Sequence, residues 1–315
     1  MEQKNILCVV GPTACGKTKM GVLLARKYGG EVVSIDSMQI YKGMTIGTAA
    51  PTLDEMEDIP HHMVAIADPA ENWSVAKFTE AASQYIQNIM GRGKLPVLVG
   101  GTGLYLDAVV AGRTFAPGSS GGEIRTELQR ELAEKGIGPL LKELRQVDPE
   151  AAGRISSSDE KRILRALEVY RKTGKTISQH NRETQALPKP YAPLYIGLAY
   201  KKREEMWAAI DTRVDAMLEA GLEDEVRALL KRGLPEDATA LQAIGYKELL
   251  SALNGERSIQ EATDEIKLRS RQFAKRQLTW LRRNEAIHWI YWEKKRDFAA
   301  ALQNATEFLA RNGLQ

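Results

Sequence analysis

Residues 11–18 read Gly11-Pro12-Thr13-Ala14-Cys15-Gly16-Lys17-Thr18, a complete G-x-x-x-x-G-K-[ST] signature set directly after an apolar run at 6–10 and before a helix-like stretch. A strand ending in such a loop aims successive backbone N–H groups and a helix N-terminus at one point, where a di- or triphosphate can lie. Lys17 adds a point charge, and the Thr18 hydroxyl is placed to reach a phosphate-bound Mg²⁺. The signature demands a strand–loop–helix unit. It leaves open which phosphate compound is bound.

Two further strand-like runs, at 32–35 and 96–99, also end at functional-looking loops: the first before Asp36, the second before Gly100-Gly101-Thr102-Gly103. Strands that alternate with helical patterns predict an α/β fold, a P-loop NTPase-like parallel sheet covered by helices on both faces. Ligands of such sheets sit beyond the carboxyl ends of the strands, so Lys17, Asp36 and Thr102 are expected to share one site. The texture changes near residue 113. A Gly/Ser-rich segment at 117–122 leads into long charged helical patterns and a proline-rich exit at 187–190, which predicts a mainly helical insertion over 113–190. The catalytic core is expected to comprise 1–112 and 191–315, with a return to the sheet at 194–198, helices near 204–218, 222–231 and 258–283, and an edge strand at 288–292.

With 43% hydrophobic and 27% charged residues, the 315-residue chain reads as an ordinary globular protein with room for about two domains. No apolar run is long enough for a membrane span, and no secretory signal precedes the first strand, so a cytoplasmic location is expected; a monomer is expected as well. Cys8 and Cys15, the only cysteines, have no metal-site or disulfide spacing and are expected to be reduced and passive. The net charge of +3 does not argue for nucleic-acid binding, but its distribution does. Residues 267–283 hold seven basic residues and no acidic one, with Arg269, Arg276 and Arg283 recurring every seven positions. That pattern predicts polyanion binding. Phe273 and Trp280, spaced likewise, read as core anchors.

Several side chains carry two readings. Asp36 is either a general base or metal ligand beside the cradle, or the N-cap of a following helix. Thr102 either contacts a phosphate oxygen or caps a helix. Arg213 is a guanidinium clamp on a diphosphate or a member of a surface salt bridge with its neighbouring acids. For His61-His62 a structural or hydrogen-bonding role is preferred over metal ligation, because adjacent side chains seldom converge on one ion.

Taken together, GPTACGKT at 11–18, DSMQIYKGMTIGTAAP at 36–51, PHHM at 60–63, WSVAKF at 73–78, GGTGLY at 100–105, AIGYKEL at 243–249 and RQFAKRQLTWLR at 271–282 resemble the bacterial tRNA dimethylallyltransferase family over nearly the whole chain. The resemblance implies transfer of a dimethylallyl group from dimethylallyl diphosphate to the exocyclic amine of the adenosine 3′-adjacent to the anticodon, with the tRNA anticodon stem-loop as partner. It implies that residues 11–18 bind the diphosphate with Mg²⁺ on Thr18, that Thr102 and Arg213 contact the same group, and that Asp36 is the base. By the same resemblance Asp36, Ser37, Met38, Gln39 and Thr102 line the adenine side, and Arg125, Lys161, Arg162, Ile163, Leu164 and Arg165 approach RNA from the insertion. The basic stripe Arg269, Arg276 and Arg283 is assigned to tRNA as well. Cys15, Met38 and Lys161 depart from the family pattern, where serine, arginine and glutamine are usual. The competing readings are a P-loop kinase acting on a small molecule or nucleotide, a prenyltransferase of free adenine nucleotides, and a non-enzymatic RNA-binding switch.

Overall fold

The computed structural model describes residues 4–116, 122–293 and 295–314, which form two compact units, Met1–Gly112 with Pro190–Gln315 and Arg113–Lys189. The Gly/Ser segment at 117–121 lies outside the described residues. In the first unit six strands make one sheet in the order β3-β2-β4-β1-β5-β6, every pair parallel. They are β1 Lys4–Val10, β2 Glu31–Ile35, β3 His61–His62, β4 Pro96–Gly100, β5 Tyr191–Tyr200 and β6 Ile287–Trp292. The return strand and the edge strand therefore form as the apolar runs predict. The helices that precede the second unit are α1 Lys17–Lys27, α2 Leu53–Met56, α3 Val75–Gly91 and α4 Gly103–Val110.

Both faces of the sheet are buried, and the strands alternate between two cores. Ile6, Cys8 and Val10 of β1 belong to a large cluster with Val33 and Ile35 of β2 and Phe78, Ala82 and Ile86 of α3. Leu7 and Val9 point into the other cluster, with Met20 and Leu24 of α1. A strand covered on both sides needs apolar residues at every position, which is why residues 6–10 form an unbroken run. Cys8 and Cys15 are buried free thiols, each pushed up from the ordinary thiol range by burial.

The second unit is helical: α5 Glu123–Lys135, α6 Ile137–Val147, α7 Pro149–Arg154, α8 Glu160–Thr173 and α9 Ile177–Gln185. It has its own core, built on Leu128, Leu140, Leu144, Ile163, Leu164 and Leu167. Asp148 accepts a bond from the Ala151 amide at 3.0 Å, while Asp159 and Thr176 cap α8 and α9, and Gly174 ends α8 in a left-handed conformation.

The chain then returns to the first unit with α10 Arg203–Glu219, α11 Leu222–Lys231, α12 Tyr246–Leu253, α13 Ile259–Leu281 and α14 Phe298–Arg311. The long helix starts where a capping box starts it: Ser258 and Glu261 exchange bonds with each other's backbone amides. Among the described residues no helix is long and apolar enough to cross a membrane.

Candidate active site

Sheet register brings the loops together. Val10 pairs with Gly100, and Ile35 also pairs with Gly100, so β1, β2 and β4 end at one level and release residues 11, 36 and 101 side by side. Beyond them lie two adjoining cavities, of about 260 and 490 Å³, that share Thr13, Ala14, Asp36, Thr48, Ala49, Arg213 and Phe273.

The larger cavity is lined by Thr13 to Thr18, the loop expected to cradle a phosphate, with Arg213 and Arg296. Gly16 takes φ 87° as it enters α1, and a Cβ there would stand 2.8 Å from the Phe298 ring, so both backbone and space require glycine. Lys17 Nζ donates to the Pro12 carbonyl at 2.7 Å. Burial pushes its ammonium below the ordinary lysine range; Cys15 and Asp36 act in the opposite sense, while Arg213 and Arg296 reinforce the lowering. Arg213 is likewise lowered, first by burial. Its neighbouring acids do not pair with it, because Asp211 binds Arg271 at 2.8 Å and Asp215 binds Lys267 at 2.5 Å. The surface salt-bridge reading is thereby corrected: Arg213 lines both cavities.

The smaller cavity is mostly apolar, with Met38, Ile210, Val214, Met217, Leu222, Ile244, Ile266 and Phe273 on its walls and Asp36, Ser37 and Thr102 among its polar groups. Asp36 caps no helix. Its Oδ1 accepts the Met38 amide at 2.9 Å in an Asx turn, and the next helix, α2, is capped by Thr52. Thr102 does stand at the N-cap of α4, yet its side chain makes no capping bond. The glycines around it serve a close approach: a Cβ on Gly103 would meet Trp280 at 2.1 Å, so Gly103 lets α13 lie against α4.

Four other expectations need correction. Gln39 lines the larger cavity, but its amide is used within the protein, accepting from Ser34 at 2.8 Å and donating to the carbonyls of Thr48 and Ala49. Its physical role is to hold the 48–49 turn over the site. Ile163 and Leu164 are buried in the core of the helical unit, at 0% and 2% exposure, so their side chains face no ligand. In that unit Lys161 and Arg162 are exposed and Arg125 partly so, with Arg162 near Asp159 at 3.3 Å; Arg165 is tied to Glu168 at 3.1 Å and to the Ala116 carbonyl at 2.8 Å. Phe273 and Trp280 are not core anchors, since Phe273 walls both cavities and Trp280 is 37% exposed, its Nε1 bonded to Asp107 at 2.9 Å. Finally, the basic stripe is partly neutralised. Arg269 pairs at 2.5 Å with Glu265, one turn before it and just ahead of the acid-free run, and Lys267 and Arg271 pair with α10. Among the described residues Lys275, Arg276, Arg282 and Arg283 have no acidic partner.

The histidines are engaged in hydrogen bonds, His61 with the Ile59 carbonyl and His62 with Glu31, both at 2.8 Å. Three further site residues were not singled out in the sequence. Gln277 accepts the Thr13 amide at 2.8 Å and so ties α13 to the cradle; it stands inside the RQFAKRQLTWLR block, which could have pointed to it. Glu225 accepts the amides of Thr45, Ile46 and Gly47 and the Tyr246 hydroxyl, fixing the turn that roofs the apolar cavity. Arg296 belongs to no motif.

A family model described as IPP transferase matches residues 39–284, and one described as isopentenyl transferase matches residues 4–65. A tRNA dimethylallyltransferase of Caldanaerobacter subterraneus subsp. tengcongensis is 44% identical over 97% of this chain and 98% of its own length. Another, from Pelobacter propionicus, is 45% identical over 96% and 97%. Among solved structures, the full-length tRNA isopentenylpyrophosphate transferase of Bacillus halodurans superposes with a TM-score of 0.73 at 39% identity, over 98% of this chain and 97% of that one. A eukaryotic dimethylallyltransferase acting on tRNA gives 0.83 at 28% identity, over 99% and 81%.

Proposed function

The chain belongs to the IPP transferase family, and from that premise we propose that it transfers a dimethylallyl group from dimethylallyl diphosphate to the exocyclic amine of the adenosine 3′-adjacent to the anticodon in tRNA, releasing diphosphate. One observation carries the reading: an apolar cavity opens into a cationic phosphate cradle, with a carboxylate, Asp36, on the wall they share. A kinase needs the cradle and the carboxylate but has no use for the apolar chamber, which suits a five-carbon chain.

The diphosphate lies in the loop of residues 11–18 with Lys17 and Arg213 against it, and the dimethylallyl chain enters the apolar cavity. The allylic carbon–oxygen bond breaks, its electron pair leaves on the diphosphate, and the amine nitrogen bonds to the same carbon. Negative charge therefore grows where the loop amides, Lys17 and Arg213 stand, while Thr102 lies on the wall of the adjoining apolar cavity. Asp36, held by its Asx turn, accepts a hydrogen bond from the amine, aims it and takes its proton. Thr18 supplies a hard oxygen at the start of α1, and no cluster of acids or histidines able to hold a metal occurs among the described residues. That donor set fits Mg²⁺, which is commonly held by substrate phosphates and few protein groups. When bound, Mg²⁺ neutralises charge on the leaving diphosphate.

The target base must leave its stack at a cost of about a few kcal/mol, offset by backbone contacts elsewhere on the tRNA. Lys275, Arg276, Arg282 and Arg283 on the first unit, and Arg125, Lys161 and Arg162 on the second, supply cations for those contacts. The decisive assay follows radiolabel from dimethylallyl diphosphate into unmodified tRNA, with ATP-dependent phosphorylation in parallel. Label in tRNA, lost when the target adenosine is replaced, is the expected result. Label only in free adenine nucleotides, or phosphorylation alone, would overturn the assignment.

A further inference from the structure

Lys17, Arg213 and Arg296 line the larger cavity, and among the described residues none of the three is ion-paired with an acid. Arg296 comes from the segment between β6 and α14, beyond residue 284, where the IPP transferase match ends. Its guanidinium is fixed. Nε donates to the Tyr200 hydroxyl at 2.7 Å, Nη2 donates to the Ala14 carbonyl at 2.7 Å, and the group lies 5.6 Å from the centre of the Tyr200 ring.

Like charges gathered in a half-buried cavity repel one another and lose hydration, which is unfavourable until a polyanion joins them. The position of Arg296 on the loop adds a second argument. Ala14 adopts φ 61°, a left-handed conformation that a residue with a Cβ holds only when its surroundings enforce it. Its carbonyl is clasped by Arg296 and, at 3.3 Å, by the Tyr200 hydroxyl, so it cannot swing into the cradle and repel an anion. After these bonds three of the five guanidinium N–H groups still lack a protein acceptor among the described residues.

We propose that Arg296 is a further diphosphate-binding residue: braced by Tyr200 and Ala14, it presents its remaining N–H groups to the diphosphate beside Lys17 and Arg213. The inference rests on the prenyl-transfer reading of the same cavity. It adds a fixed, planar donor to the leaving-group side, where charge increases as the allylic bond breaks.

The test is titration of the full chain with inorganic diphosphate, alongside steady-state kinetics, for the wild type, Arg296→Gln and Arg296→Lys. Gln removes the charge and keeps a hydrogen-bond donor for Ala14. It should weaken diphosphate affinity and raise KM for dimethylallyl diphosphate by about tenfold or more, leave KM for tRNA within about twofold, and flatten the ionic-strength dependence of diphosphate binding. Lys should recover part of the affinity and the full ionic-strength dependence. Wild-type diphosphate affinity in Arg296→Gln would reduce Arg296 to a brace for the loop and overturn the proposal alone. Absence of diphosphate binding by the wild type would overturn both readings. If Arg296→Gln does not fold, chemical modification decides: diphosphate should shield Arg296 of the wild type from phenylglyoxal, and unchanged modification would refute the contact.

Discussion

Asp36 shows how a single carboxylate is prepared by its neighbours. The Met38 amide holds Oδ1, so the side chain has one orientation at the wall shared by the two cavities. Asparagine keeps that Asx bond but accepts no proton. Asp36→Asn should therefore fold normally, bind tRNA within a few-fold of the wild type and lose roughly 10²–10⁴ in kcat; a selective loss of tRNA affinity in a binding assay would reject the base assignment. A second carboxylate works for stability instead. Glu31, 2% exposed at the start of β2, accepts from Arg92, Lys94 and His62. The Arg92 hydrogen bond first, then those of Lys94 and His62, hold it well below the ordinary carboxyl value of 4.5. A depressed folded-state pKa means the contribution is present above the unfolded value and is lost as pH falls below about 4.5 toward the folded value. Glu31→Gln should lower stability by about 1–3 kcal/mol at pH 7, a moderate cost because Arg92 and Lys94 are exposed enough to be rehydrated. Thermal melts of variant and wild type should converge as the pH is taken down through that window. At this scale the sequence was readable where a motif fixes backbone geometry, as at Gly16 and Lys17. It was not readable where the partner decides the role: Gln39 is spent on Thr48 and Ala49, and the acids beside Arg213 are taken by distant basic residues on α13.

Helix α13 carries the same lesson over 23 residues. Its start, its length and its acid-free basic run follow from a capping box and a charge pattern within one segment. Its effective charge does not, because Glu265 lies just before that run and Asp211 and Asp215 lie on α10. The free cations are thus at the C-terminal end, where Arg276 lies 5.9 Å from Phe273 and Arg283 lies 5.5 Å from Trp280. Replacing Arg276 and Arg283 together by Ala should weaken tRNA binding and reduce the slope of log affinity against log salt by about 1.5 to 2. Arg269→Ala, which removes an arginine already paired with Glu265, should change that slope by less. Equal slopes for the wild type and the double variant in a salt titration would take these two residues out of the RNA footprint. The short elements were the least legible: β3 has two residues and α2 four, too few to show a period.

For the whole molecule, the decisive fact is that the sheet unit breaks off and resumes at neighbouring points, Gly112 and Pro190. A Cβ on Gly112 would lie 2.8 Å from Cγ of Pro190, so the chain leaves and re-enters the sheet unit at one place. Among the described residues, those of 113–189 have their own apolar core and none of them belongs to the two cores of the sheet. The texture change near residue 113 was visible in composition, because an insertion brings its own charged helices. The closeness of the two junctions was not, since it depends on where α4 and β5 finish in space. Independent cores and adjacent junctions together predict that 113–189 can be replaced by a short Gly/Ser link, with a loop-closure cost that is small and varies slowly with length. The shortened chain should unfold in one cooperative transition and still be stabilised by inorganic diphosphate, because Lys17, Arg213 and the cradle all lie within the retained unit. Its transfer of dimethylallyl to tRNA should fall by at least about tenfold if Arg125, Lys161 and Arg162 make the proposed contacts to RNA phosphates, because all three leave with the deleted unit. Calorimetry with and without diphosphate, followed by the tRNA assay, separates the two functions. Loss of the diphosphate shift in a chain that still folds would show that the cradle depends on the helical unit, and full retention of tRNA turnover would show that the RNA is held by the sheet unit alone.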